Sequence, residues 1–124
     1  TRRFVGGLLG HWAVWTRRAV ELLATCHAAH DKVGGPGQEL LTLAAEVTDA
    51  NAAVFDARHN FRGCIPGIQE VLRRQGLLGG SLCWDEREVL SPGQSEEIDR
   101  VVAAYTQLLD DDFIQANRER WLSG

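Results

Sequence analysis

Apolar positions recur along most of the chain at spacings of three and four, separated by short breaks marked by glycine and proline. That period belongs to amphipathic helices. Residues 59–78 carry it most clearly. They open on the turn-forming run His59-Asn60-Phe61-Arg62-Gly63, place Ile65, Ile68, Val71 and Leu72 at helical spacing, and stop at Gly76. Leu77 and Leu78 stand where a Schellman-type helix end folds back. Pro66 suits a first helical turn, where its missing N–H leaves no bond unmade.

The remaining elements follow the same logic. Residues 4–15 are apolar, interrupted by glycines and without helical period, and they run into Thr16, a good N-cap. They predict a short buried strand entering a helix. A lone strand has unpaired edges, so its partners are expected outside this chain. The helix after Thr16 is expected to reach about His30, with Ala19, Leu22, Leu23 and Cys26 on one face. Residues 31–37 read as a loop, and a second helix follows on Leu40, Leu43, Ala44, Val47, Val54 and Phe55, with a bend expected near residues 48–51.

Residues 79–90 read as irregular, with Cys83 and Trp84 in polar surroundings. Ser91-Pro92-Gly93-Gln94 predicts a helix start: Ser91 caps, Pro92 takes the first position, and Gln94 reaches back. Glu96 and Glu97 favour the same end of the helix dipole. A continuous apolar stripe is expected through Ile98, Val101, Val102, Tyr105, Leu108 and Leu109. Asp110, Asp111 and Asp112 then open a short last helix that carries Phe113, Ile114 and Trp121. The fold class expected is mainly α, about five helices plus one short N-terminal strand, in a single unit.

Composition narrows the function classes. With 44% hydrophobic and 24% charged residues, the chain is an ordinary globular sequence. A net charge of −4 argues against nucleic acid and against an anionic membrane surface as partners. No window approaches the roughly 20 apolar residues of a membrane span, and Gly6, Gly7 and His11 interrupt any export signal. Cys26, Cys64 and Cys83 are odd in number and widely spaced, which reads as reduced thiols in a cytoplasmic protein. No methionine occurs, even at position 1, so a piece of a longer polypeptide is the favoured reading.

Candidate chemistry is sparse. Cys26, His27 and His30 share about one helical turn, but no second cluster completes a tetrahedral metal site. The Asp110–Asp112 run is explained by capping and the helix dipole. Arg17-Arg18 lies near a helix start and is the better phosphate candidate, Arg73-Arg74 near a helix end, and a solvated face accounts for both pairs. Lys32, the lone lysine, sits in a loop that offers nothing to lower its pKa. No Gly-rich phosphate loop, GxSxG elbow or HExxH motif is present.

The Gly6-Gly7 turn, the strand, the Thr16 helix and the segment from Ala57 to Leu78 together resemble the C-terminal part of the dihydrodipicolinate synthase/N-acetylneuraminate lyase family of class I aldolases and dehydratases. In that family a Gly-Gly turn introduces the eighth strand of a (β/α)8 barrel. An eighth helix follows, then appended helices with a turn-plus-proline element that Ala57-Arg58-His59-Asn60-Phe61-Arg62-Gly63-Cys64-Ile65-Pro66-Gly67 matches. The resemblance covers roughly residues 4–80. It implies that residues 1–30 are the last barrel strand and helix, and residues 31–124 an appended helical segment.

The resemblance further implies a parent lyase that acts on keto acids or sugar acids through a lysine Schiff base, without metal or organic cofactor, as a homo-oligomer. The family's lysine, its proton-relaying tyrosine and its carboxylate-holding element precede the eighth strand. Neither Lys32 nor Tyr105 stands in their place, so this chain alone is expected to be inactive. Alignment on the Gly-Gly pair puts His11 and Trp12 early on the eighth strand, near the Schiff-base pocket. They are the substrate-pocket candidates. The competing expectation is a free-standing all-α interaction module.

Overall fold

A computed structural model of the chain describes residues 5–7, 10–30 and 37–123. Among them stand five α-helices: α1 (Thr16–His30), α2 (Gln38–Val54), α3 (Cys64–Arg74), α4 (Gln94–Ala104) and α5 (Asp111–Leu122). Short 3-10 turns occupy His11–Ala13, Ala57–His59 and Thr106–Leu108. The mainly helical expectation holds. No helix of the described residues is long and apolar enough to cross a membrane.

The core lies where α2 packs on α4 and α3. Ala50, Ala53 and Val54 from α2 meet Val71 from α3 and Ile98 and Val101 from α4, with Leu108 closing one end. Ile98 and Val54 are fully enclosed, and each such side chain contributes about 1.5–3 kcal/mol through removal from water. α2 runs unbroken through residues 48–51, the part the sequence marks as weakest. Ala50 is buried, and the Thr48 hydroxyl donates to the Ala44 carbonyl.

The N-terminal strand is corrected. Among the described residues no strand occurs, and residues 10–15 form a turn instead. Gly10 and Trp15 both take positive φ, at 95° and 51°, which breaks an extended run. With no neighbouring edge to accept a ladder, the backbone satisfies itself in the 3-10 turn. The apolar run is nevertheless buried at its end, where Val14 and Trp15 join the core.

Two end signals act as the sequence predicts, and a third does so in part. Gly76 has φ 73°, and the Leu77 and Gly76 N–H groups donate to the Leu72 and Arg73 carbonyls, both bonds of a Schellman stop. Pro66 lies in the first turn of α3, where the first ladder bond runs from Gly67 N–H to the Gly63 carbonyl (2.8 Å). The Gln94 side chain reaches back to the Ser91 N–H at 3.0 Å, but α4 begins at Gln94 after Gly93 rather than at Pro92, and the Ser91 hydroxyl is spent on Asp56 instead of capping the helix. The apolar stripe after Ile98, by contrast, is interrupted, because the backbone leaves the helix at Tyr105 (φ −122°, ψ 52°).

Helix α1 begins differently from expectation. The Thr16 hydroxyl donates to the Trp12 carbonyl and so does not cap the helix. The Arg17 N–H is accepted by Asp110 Oδ2 at 3.0 Å, and the Arg18 guanidinium donates to the Leu109 carbonyl at 2.9 Å. The face of α1 also shifts: Ala19 and Ala29 are buried, whereas Cys26 is exposed. On the other side of Asp110, α5 buries no residue fully but stacks Phe113 edge-on against Trp121 and beneath Arg17.

Candidate functional site

His11 and Trp12, expected early on a barrel strand, belong to the 3-10 turn His11–Ala13. Trp12 is half-buried beside Gly10, and the side chain of His11 lies outside the described residues. Of the expected loop at residues 31–37, only Gly37 is described, so Lys32 also lies outside.

A different group of polar side chains converges where α2 ends. The chain leaves α2 through Phe55 and turns at Asp56, whose φ is 57°. The N–H groups of His59 and Phe61 both donate to the Asp56 carbonyl, at 3.0 and 2.9 Å. Asn60 and Phe61 follow with φ of 54° and 63°. Three non-glycine residues in the left-handed region within six positions is a costly arrangement.

The Asp56 carboxylate is 3% exposed and is surrounded by donors. Oδ2 accepts the Gly63 N–H at 2.9 Å and the Ser91 hydroxyl at 2.5 Å, and Oδ1 accepts His59 Nδ1 at 2.6 Å. Burial pushes its pKa up, but the bonds from Ser91, His59 and Gly63 outweigh that penalty and hold it below the usual carboxylate value. An ionised Asp56 only accepts, so His59 Nδ1 must carry the proton. The imidazole is thereby fixed with Nε2 turned away from the carboxylate.

Gln94 completes the cluster. It is 2% exposed; its Oε1 accepts from Ser91 N–H, and its Nε2 donates to the carbonyls of Gly63 (2.9 Å) and Val54 (3.3 Å). The end of α2, the start of α3 and the start of α4 are joined through these two side chains. Gly63 is required, since a Cβ there would strike the Gln94 amide. No buried side-chain polar atom among the described residues lacks a partner, as a fully satisfied network demands.

His59 borders two clefts. One, of about 320 Å³, is lined by Asp49, Arg58, Pro92, Glu97 and Arg100. The other, of about 570 Å³, is lined by Phe61, Arg62, Glu88, Val89 and Leu90. A Ser–His–Asp relay is not built here. The Ser91 hydroxyl donates to Asp56 rather than to His59, so it is not presented to the imidazole as a nucleophile.

The remaining ion pairs are structural in character. The buried Glu70 takes Arg73 and Arg74, at 2.7 and 2.8 Å, and Arg74 goes on to Asp99. Arg17 and Arg18 both pair with Glu21, which leaves neither poised for phosphate. Asp49 binds Arg100 and the Tyr105 hydroxyl. No group of three or more potential metal ligands occurs among the described residues, and the three cysteines are free thiols. Burial raises the Cys64 and Cys83 thiols, aided by Glu88, so neither is an activated nucleophile.

The sequence marks Gln94 as a capping residue and His59 as the start of a turn, whereas Asp56 carries no periodic or motif signal. Comparison with protein-family models, with curated proteins and with solved structures finds no match in any of the three.

Proposed function

We propose that the chain is the C-terminal portion of a lyase similar to dihydrodipicolinate synthase, a Schiff-base aldolase or dehydratase acting on keto acids or sugar acids. The observation that carries this reading is the succession over residues 57–78: a turn, a proline in the first helical turn, and a glycine stop followed by leucines. Large exposed apolar side chains support it, because a helical layer appended to a larger body leaves such a face. Leu82 and Trp84 are 93% and 104% exposed, and Val20 and Leu41 are more than half exposed. In this reading the lyase is a cytoplasmic homo-oligomer and the present residues contribute no catalytic group.

The test is the mass of the native protein, followed by trapping with pyruvate and borohydride. A lysine amine condenses with the keto group, water leaves, and borohydride reduces the imine to a stable secondary amine. A barrel-sized subunit with one trapped lysine upstream of these residues is the expected result. A native mass near 13.7 kDa with cooperative unfolding would overturn it. The free-standing all-α interaction module would then stand, a reading favoured by the single core that α2, α3 and α4 share.

A further inference from the structure

We propose that the cleft between His59 and Val89 is a binding site for a small monocarboxylate with a planar apolar body. The inference is independent of the lyase reading.

The first observation is strain without burial. Phe61 sits at φ 63° yet is 62% exposed. A bulky side chain in the left-handed region costs energy that packing ordinarily returns, and little packing is returned here. Strain that the surroundings over-determine clusters at ligand-binding positions. Asp56 supplies that over-determination, its carbonyl holding the Phe61 N–H and its carboxylate holding His59. One buried residue therefore holds both the backbone that carries Phe61 and the His59 ring beside the same cleft.

The second observation is the charge balance around that platform. Arg62 is exposed, lines the cleft and has no ion-pair partner among the described residues. Arg87 and Asp85 neutralise each other at 2.7 Å. Glu88, the remaining lining carboxylate, leaves the lining neutral overall, which disfavours a ligand of more than one negative charge. Val89, Leu90 and Pro92 form an apolar wall. A carboxylate would take the Arg62 fork in bidentate fashion while its planar body lies on Phe61. The His59 ring, held by Asp56 through Nδ1, borders the same cleft beside this fork.

The experiment is an NMR titration of the isotope-labelled chain with sodium benzoate at constant ionic strength, with benzamide as the uncharged isostere. Saturable shifts of the His59 ring and the Phe61 signals are expected, with benzamide weaker by roughly tenfold, the worth of a charge-assisted bond. Arg62→Gln, at an exposed position, should weaken benzoate by about the same factor. Phe61→Gly is the sharper variant: it relieves the left-handed backbone and removes the platform, so the fold persists while benzoate binding falls at least roughly fivefold. Shifts that never saturate, benzamide binding as well as benzoate, or unchanged benzoate affinity in both variants would each overturn the site.

Discussion

Gly67 of α3 lies against the carbonyl oxygen of Val54 at the end of α2, so closely that a Cβ at Gly67 would overlap that oxygen. The obstacle is backbone and cannot rotate away. Gly67→Ala should therefore force α3 off α2 and cost about 3 kcal/mol. Gly79→Ala, at a site with open space around it, should change stability by less than about 0.5 kcal/mol. Urea denaturation of the two variants separates these outcomes.

Asp56→Ala removes the acceptor of three bonds and leaves the Gly63 N–H and the Ser91 hydroxyl without their partner. A loss of about 3 kcal/mol is expected. Asp56→Asn keeps an oxygen for two of the donors but turns an amide nitrogen toward the third, and should lose about half as much. The His59 ring signals should move in both variants, since its Nδ1 anchor is lost or neutralised.

Acid should destabilise the fold over a defined window. The bond from Arg73, with Arg74 adding to it against burial, holds Glu70 at about 2 in place of 4.5. Arg100 and then Tyr105 hold Asp49 at about 2 in place of 3.8. Both folded pKa values are depressed, so the stability is fully present above pH 4.5 and is lost as pH falls toward 2. After allowance for screening at the half-exposed Arg73, the Glu70 share is about 2 kcal/mol. Glu70→Gln should lower the neutral-pH urea midpoint and flatten its fall below pH 4.5. A midpoint slope identical to that of the parent would refute this assignment.

Asp110→Ala should release the first turn of α1 while leaving α5 in place, since Asp110 Oδ2 serves Arg17 and Oδ1 faces Gln75. Loss of the cap should cost about 1–2 kcal/mol. Hydrogen exchange localises it: the Arg17 amide should exchange faster, and amides in the centre of α2 should be affected only through global stability.

Much of the helical fold was readable because it rests on local rules. The Schellman end at Gly76, the reach of Gln94 to Ser91 and the span of α1 all follow from neighbours in sequence. The strand expected over residues 4–15 is absent from the described part, residues 5–7 and 10–15, and residues 4, 8 and 9 lie outside the described residues. An apolar run without period does not distinguish a strand from a turn that plugs a core. Val14 and Trp15 are buried as expected, but their backbone had no sheet to join. The Asp56 cluster was hidden for a different reason. Ser91 and Gln94 stand 35 and 38 residues beyond Asp56 in the sequence, and a buried carboxylate in a turn looks the same on paper as a solvated one. The sequence places Asp110 at the dipole of its own helix, whereas its carboxylate accepts the Arg17 amide of α1.

That last assignment bears on how the polypeptide reaches its native state. The acceptor for the Arg17 amide emerges from the ribosome 93 residues after it. Between those two events the Arg17 amide lacks its acceptor, and the first turn of α1 is uncapped. That turn is completed only when the backbone just ahead of α5 arrives. Closure of so long a loop is slow beside helix formation itself. A nascent chain halted before residue 110 would hold the α2–α3 hairpin but not a finished α1, and a protease that cuts near Arg17 would distinguish the two.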